Sequence, residues 1–336
     1  MFRIFCVVLS LLIMTSAALA AEPGPDRDLG YMALSPKSVR FDAQAPSAGE
    51  MPGLIISIIP EFYYGRSEAR TTTLSGVPLS AGSGTNKGFG ITFLATKPLS
   101  ELFTLSFIYQ WAYSDYNGGE LFPTALAPLY LKADQRAYSN MAGLIGTFNL
   151  GTYGRLETSF LQGWDSYDGS LLLYNQDGTL LATTPPDIDD DRASSLMAWY
   201  TLDVPVTDSL ALTPYLGWRS VYVVLNNNGQ SVNHAWAHLL SGGLSLKYSN
   251  GPLALIFRGG FNHRVSSDDI PGLSSRAVAP GVTHFGWNTS FSRTVGTFGL
   301  AVDYAFGPGL LELSYDAMVG SDAAHHKGAA VLVFFF

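Results

Sequence analysis

Cysteine is all but absent from this chain: the single residue, Cys6, falls within the first twenty of 336 positions. Arg3, an apolar run from Ile4 to about Met14 and the small residues Ala18-Leu19-Ala20 have the layout of a secretory signal cleaved after Ala20. Removal of residues 1–20 then leaves a mature chain with no thiol, which excludes disulfides, thiolate metal sites, cysteine nucleophiles and a lipid anchor on a processed Cys. Charge is scarce too: 14% of residues are Asp, Glu, Lys or Arg, and the net charge of −8 leaves no basic surface for nucleic acid. Long hydrophobic runs are missing as well. After residue 20 none approaches the roughly 20 residues a spanning helix needs, and the amino-terminal run is itself too short for an uncleaved anchor. Yet 47% of the chain is hydrophobic, with 35 Gly and 20 Phe.

That apolar content is distributed by parity. From Phe103, one set of alternate positions reads Phe103, Leu105, Phe107, Tyr109, Trp111, Tyr113, and the other reads Thr104, Ser106, Ile108, Gln110, Ala112, Ser114. Leu253, Leu255, Phe257, Gly259 and Phe261 likewise oppose Ala254, Ile256, Arg258, Gly260, Asn262 and Arg264, and Leu311, Leu313, Tyr315, Ala317 and Val319 oppose Glu312, Ser314 and Asp316. A period of two means strands, each with one oily face. Strands of a soluble sandwich commonly run five or six residues; these run to ten or more, the length of a tilted strand crossing a bilayer. Alternation also hides the apolar residues from any helix-length average, as it does in membrane barrels.

Strands are expected near Leu54–Tyr64, Gly88–Thr96, Leu102–Tyr116, Arg136–Leu150, Arg155–Tyr167, Ser194–Val204, Leu210–Val224, Ala235–Ser249, Leu253–Val265, His284–Phe306, Leu310–Gly320 and Gly328–Phe336. Tight turns such as Gly151-Thr152-Tyr153-Gly154, Asn250-Gly251-Pro252 and Gly307-Pro308-Gly309 alternate with long polar loops at 66–87 and 167–193, the short-turn, long-loop asymmetry of outer-membrane barrels. An even count puts both ends of the barrel on the side of the short turns. His284–Phe306 is read as one long strand with room for a bulge, because a turn at Val295-Gly296-Thr297 would make the count odd. The expected organisation is therefore a signal peptide at 1–20, a flexible periplasmic lead or plug at 21–52, rich in Pro, Asp, Ser and Ala, and at 53–336 an all-β, transmembrane, antiparallel up-and-down β-barrel of about twelve strands.

The closing strand Val331-Leu332-Val333-Phe334-Phe335-Phe336 resembles the carboxy-terminal strand of Gram-negative outer-membrane β-barrels. The resemblance implies that Phe334 and Phe336 form an assembly signal read by the barrel assembly machinery, with outer-membrane lipid and lipopolysaccharide as surroundings. Leu212-Thr213-Pro214-Tyr215-Leu216-Gly217-Trp218 resembles a mid-barrel strand of autotransporter translocator domains, and Leu311-Glu312-Leu313-Ser314-Tyr315-Asp316 with Phe336 resembles their last hairpin. Over roughly Ser194–Phe336 the chain thus looks like a solitary autotransporter-like barrel. It departs from that family in offering only 21–52 ahead of the barrel, in place of a long passenger and a pore-threading helix.

Parity assigns Glu61, Glu157, Asp165, Asp203, Arg219, Lys247, Arg258, Arg264, Asp303, Glu312 and Asp316 to the polar, inward faces. In a bore this narrow, acids and bases are expected to pair across the lumen and fill it, with Arg219, Arg258 and Arg264 facing Glu312 and Asp316. The function expected is a porin-like narrow channel for small solutes or a structural scaffold, without enzymatic activity or cofactor; the alternatives are a barrel-embedded lipid-modifying hydrolase and a translocator for a separately encoded passenger. For the hydrolase, His263 with Ser266 or Ser267 is the one nearby pair, and it lacks a third group. His234, His238, His263, His284, His325 and His326 fall near one rim, where rings suit an interfacial girdle or a transition metal. Asp187, Asp189, Asp190 and Asp191 form an acidic loop without the Gly and Glu of an EF-hand. No metal site is assigned.

Overall fold

The computed structural model describes residues 30–31, 53–74, 77–122, 129–175, 177–183, 190–227, 230–267, 287–288, 294–307, 309–320 and 323–336. The expected signal peptide and nearly all of the lead lie outside them. Twelve strands close on themselves: β1 (Ile55–Leu74), β2 (Val77–Pro98), β3 (Phe103–Phe122), β4 (Leu129–Asn149), β5 (Arg155–Tyr174), β6 (Asp190–Thr201), β7 (Leu210–Asn227), β8 (Gln230–Asn250), β9 (Leu253–Ser267), β10 (Thr294–Phe306), β11 (Gly309–Val319) and β12 (Ala323–Phe335). Every neighbour pair is antiparallel, and β12 returns to β1 with Phe335 opposite Ile55. Closure leaves the barrel no sheet edge, the condition for a β structure to cross a membrane.

Tight connections gather at one end of the barrel, at 99–102, 150–154, 251–252 and at Gly307, together with both ends of the barrel chain. Gly154 shows why glycine is required there: its φ is +95°, and a Cβ would stand 2.2 Å from the carbonyl oxygen of Thr201. At the opposite end the strands outrun the sequence expectation. Positions 66–87, read as a polar loop, are mostly ladder: β1 continues to Leu74 and β2 begins at Val77. The segment 167–193 is likewise part strand, since β5 runs to Tyr174 and Leu180–Thr183 pairs back onto it. These Ser-, Thr- and Gly-rich stretches carry no oily stripe, so periodicity alone could not announce them. Of the long strand expected from His284, the described part is β10 from Thr294, and Val295-Gly296-Thr297 sit in unbroken register with Asn262, Phe261 and Gly260. The bulge falls in β9 instead, where the register steps between Leu239↔Arg264 and His238↔Ser266 and leaves Val265 as the extra residue.

Parity along the strands sorts as the sequence implies. Outward positions stay exposed: Phe107 51%, Phe160 50%, Phe257 48%, Phe298 50%. Inward positions are almost fully covered, polar and apolar alike: Ser57 0%, Gln110 2%, Met141 1%, Val333 0%. An aromatic inlay contributes to that covering. The Trp199 ring lies over Gly217, where a Cβ would be 1.9 Å from its Cε3, and stacks on Tyr215 at 5.1 Å. The Tyr215 hydroxyl then crosses Gly243 and Gly260, 2.4 and 2.3 Å from where their Cβ atoms would be. Two rings are thus laid flat across four strands, β6 to β9, over a track cleared by glycine.

Candidate functional site: the charged interior

Glu61, buried on β1, is the hub of one interior cluster. Lys327 on β12 donates to its Oε1 at 2.5 Å, and Gln110 Nε2 on β3 donates to its Oε2 at 2.9 Å. Gln110 reaches Glu61 across the whole width of β2. A second cluster is centred on Arg258 of β9, which lies 3.6 Å from Glu312 and 3.3 Å from Asp316, both on β11. Strand β10 runs between them, and Gly299, in register with both Arg258 and Asp316, makes the crossing feasible: a Cβ there would meet Asp316 Oδ1 at 2.5 Å. All these groups are largely withdrawn from solvent, so each pairing counts for more than a surface ion pair would.

The remaining inward charges are distributed around the wall. Arg219 Nε donates to Ser195 Oγ at 2.9 Å, and Arg219 shares the ladder partner Leu239 with Arg264; both arginines are buried. Asp303 is buried directly opposite Glu312, Glu157 is buried near the turn end of β5, and Lys247 is half-buried in register with Ile256. Asp203 differs from expectation: it lies beyond β6 in the connection to β7, half-exposed, accepting from Arg155 Nη2 at 2.9 Å and Thr213 Oγ1 at 2.7 Å. Asp165 stands opposite Ser139 on β4, and its side chain is outside the described residues. The ion pairs given above run along the wall between adjacent or next-nearest strands, and for Arg258 a glycine on the intervening strand shortens that path.

Sequence reading missed Lys327, Gln110 and Gly299. Lys327 shares its parity with Val331 and Val333, which was the available signal, but the expected β12 began one residue too late, at Gly328. Phe336 is tied to the start of the barrel by Gly53 N–H to its carbonyl at 2.8 Å and by its own N–H to the Leu54 carbonyl at 2.9 Å; Phe334 lies opposite Ile56.

The rim histidines that are described point outward and have hydroxyl partners. His238 Nδ1 bonds Ser220 Oγ at 2.8 Å between the rings of Trp218 and Trp236. His263 Nδ1 bonds Thr294 Oγ1 at 2.8 Å, and His326 Nδ1 bonds the Tyr315 hydroxyl at 2.7 Å. Ser266 is in register with His238 rather than beside His263. His284, Asp187, Asp189 and the side chains of His234 and His325 lie outside the described residues, while Asp190 and Asp191, expected in the loop, open β6 opposite Ser166 and Asp165. Among the described residues no group of three His, Cys, Asp or Glu could hold a metal ion.

No protein-family model matches the chain, and no curated protein does. Solved structures do. The translocator domain of the autotransporter NalP from Neisseria meningitidis superposes with a TM-score of 0.56 at 15% identity, over 84% of this chain and 89% of that one. The transport unit of the autotransporter AIDA-I from Escherichia coli gives 0.53 at 12%, over 83% and 90%. The β domain of the Bordetella autotransporter BrkA gives 0.53 at 14%, over 84% and 99%. At such identities the likeness is one of fold.

Proposed function

We propose that this chain, an outer-membrane β-barrel with the translocator-type twelve-stranded fold, works as a self-filled scaffold whose charged bore passes small ions at most. The observation that carries this reading is the burial of the inward residues: Glu61 at 5%, Gln110 at 2%, Arg219 at 5% and Asp303 at 8% exposure are values of a packed interior. A wide diffusion pore keeps its lining wet. The outer membrane as location, secretion through residues 1–20, assembly through the Phe334 and Phe336 end, and contact with lipopolysaccharide belong to the same proposal. The exposed oily bands and the position of both barrel ends at the short-turn side support it.

Solute uptake by proteoliposomes tests the reading. Vesicles carrying the folded barrel should not swell in isotonic arabinose or raffinose. Rapid swelling in either sugar would replace the scaffold with an open channel. A second reading, translocation of a passenger encoded elsewhere, has support from the fold likeness to the NalP translocator domain; it requires a bore that empties, and the same swelling assay after deletion of residues 21–52 would reveal one.

A further inference from the structure

The joint between β12 and β1, which closes the barrel, has a gap in its ladder. Its ladder runs from Ala323↔Ser67 to Ala329↔Glu61 and resumes from Leu332↔Ile58 to Phe335↔Ile55, leaving positions 59 and 60 unbridged against 331 and 330. Register is kept across the gap, so no residue is inserted. Pro60 explains it. Proline has no N–H to donate, and both bridges vanish together only if position 60 is one that turns its backbone toward β12 and would have bonded Ala330. On the other side Pro60 keeps its place opposite Ile91. The joint between β6 and β7 has a like in-register gap, with 213 and 214 unbridged against 203 and 202 beside Pro214, but that gap lies at the short-turn end, whereas the gap at Pro60 lies within the joint that closes the barrel.

Below the gap the joint is held in two ways. The Phe336 backbone bonds Gly53 and Leu54, and Ile55, Ile59, Leu310, Val331 and Val333 form an apolar cluster on the inner face that reaches Ala329 just above the gap. Above the gap the holding is different in kind. Inside, Glu61 grips Lys327 and is itself anchored to Gln110; outside, Tyr64 stacks on His326 at 6.4 Å.

We infer that the upper half of this joint, Glu61–Ser67 against Ala323–Ala329, is a seam that can part on its own, with Glu61–Lys327 as its latch and Pro60 as the point where parting stops. A zipper opening from the loop end loses ladder bonds one by one until it meets the latch; beyond the latch it meets a position where one of the two ladder bonds is missing, and then the clamped lower half. Parting would open the bore sideways toward the outer half of the membrane. The inference rests on the pairing of the strands and stands whether or not the bore conducts.

Hydrogen exchange resolved by residue, on the folded mature barrel in lipid nanodiscs, tests it. Amides of 323–329 should exchange faster than those of 139–147 on β4, and Glu61→Gln should accelerate 323–329 about two- to tenfold, the span one hydrogen bond contributes, while leaving 332–335 unchanged. Pro60→Ala, which restores the donor, should slow exchange at 329–331 by a similar factor. Should Glu61→Gln fail to fold, the disulfide between Tyr63→Cys and Lys327→Cys, at positions in register, should abolish the excess exchange until it is reduced. Equal acceleration of both halves by Glu61→Gln, no response to Pro60→Ala, or undiminished exchange in the cross-linked barrel would overturn the inference.

Discussion

Replacing Gly299 by Ala probes the reach of Arg258 over β10. The backbone at 299 is ordinary strand, so alanine can adopt it and the glycine is there for room. The new methyl would stand 2.5 Å from Asp316 Oδ1 and 3.4 Å from Arg258 Cβ, which forces the carboxylate to swing away from the guanidinium now 3.3 Å distant. A hydrogen bond between charged groups contributes roughly 1.5–3 kcal/mol; Glu312 remains beside Arg258 and retains part of that. The loss of backbone freedom in the unfolded chain returns roughly 0.5–1 kcal/mol in the other direction. The net expectation is a destabilisation of about 1–2 kcal/mol. In an Asp316→Ala background the obstructing oxygen is gone, and Gly299→Ala should be neutral or slightly stabilising. Urea unfolding in lipid vesicles, followed through the six tryptophans, gives the double-mutant cycle. The same loss in both backgrounds, or a gain in the parent, would refute the notion that Gly299 exists to let this ion pair cross.

Other substitutions test the remaining parts of the account. Phe257→Arg puts a cation in lipid near mid-height of β9 and should cost about 2–4 kcal/mol, whereas inward Ile256→Thr should cost about half as much; the reverse order in unfolding experiments would invert the assigned faces. Gly217→Ala drives a methyl into the Trp199 ring and should reduce the yield of folded, heat-modifiable barrel, with the Trp199→Ala background restoring it; normal yield in the parent would contradict the inlay. Deleting Phe336 removes the bonds to Gly53 and Leu54 and should leave unfolded chain in the periplasm, and normal levels of folded barrel in the outer membrane would remove this residue from assembly.

Legibility followed contact with lipid. Where a strand has one face in hydrocarbon, as at Phe103–Tyr113 or Leu253–Phe261, the two-residue period declares both the strand and its inward side, and the count of twelve follows. Beyond the oily band, at 66–87, both faces of the ribbon are polar and the period is silent although the described backbone stays paired, with register steps between Ala69 and Thr73. Parity misplaced Asp203, which lies past the end of β6 where it no longer applies, but Glu61, Glu157, Arg219, Arg264 and Asp303 were legible as inward residues because parity is local. Their partners were not, because whether Arg258 meets Glu312 and Asp316 depends on a glycine on the strand between, and whether Glu61 meets Lys327 depends on the closure of the first strand on the last, 266 residues apart in sequence. Pro60 reads in isolation as an ordinary edge-strand proline; only the closed barrel shows that the edge it protects is the seam.

Whether the inward side chains fill the bore is read most directly by single-channel recording of the folded barrel in a planar bilayer. A filled bore gives no steady open-pore current at moderate voltage, and at most brief, small, ion-selective events. A constant, ohmic conductance that persists at all voltages and admits large ions would contradict it.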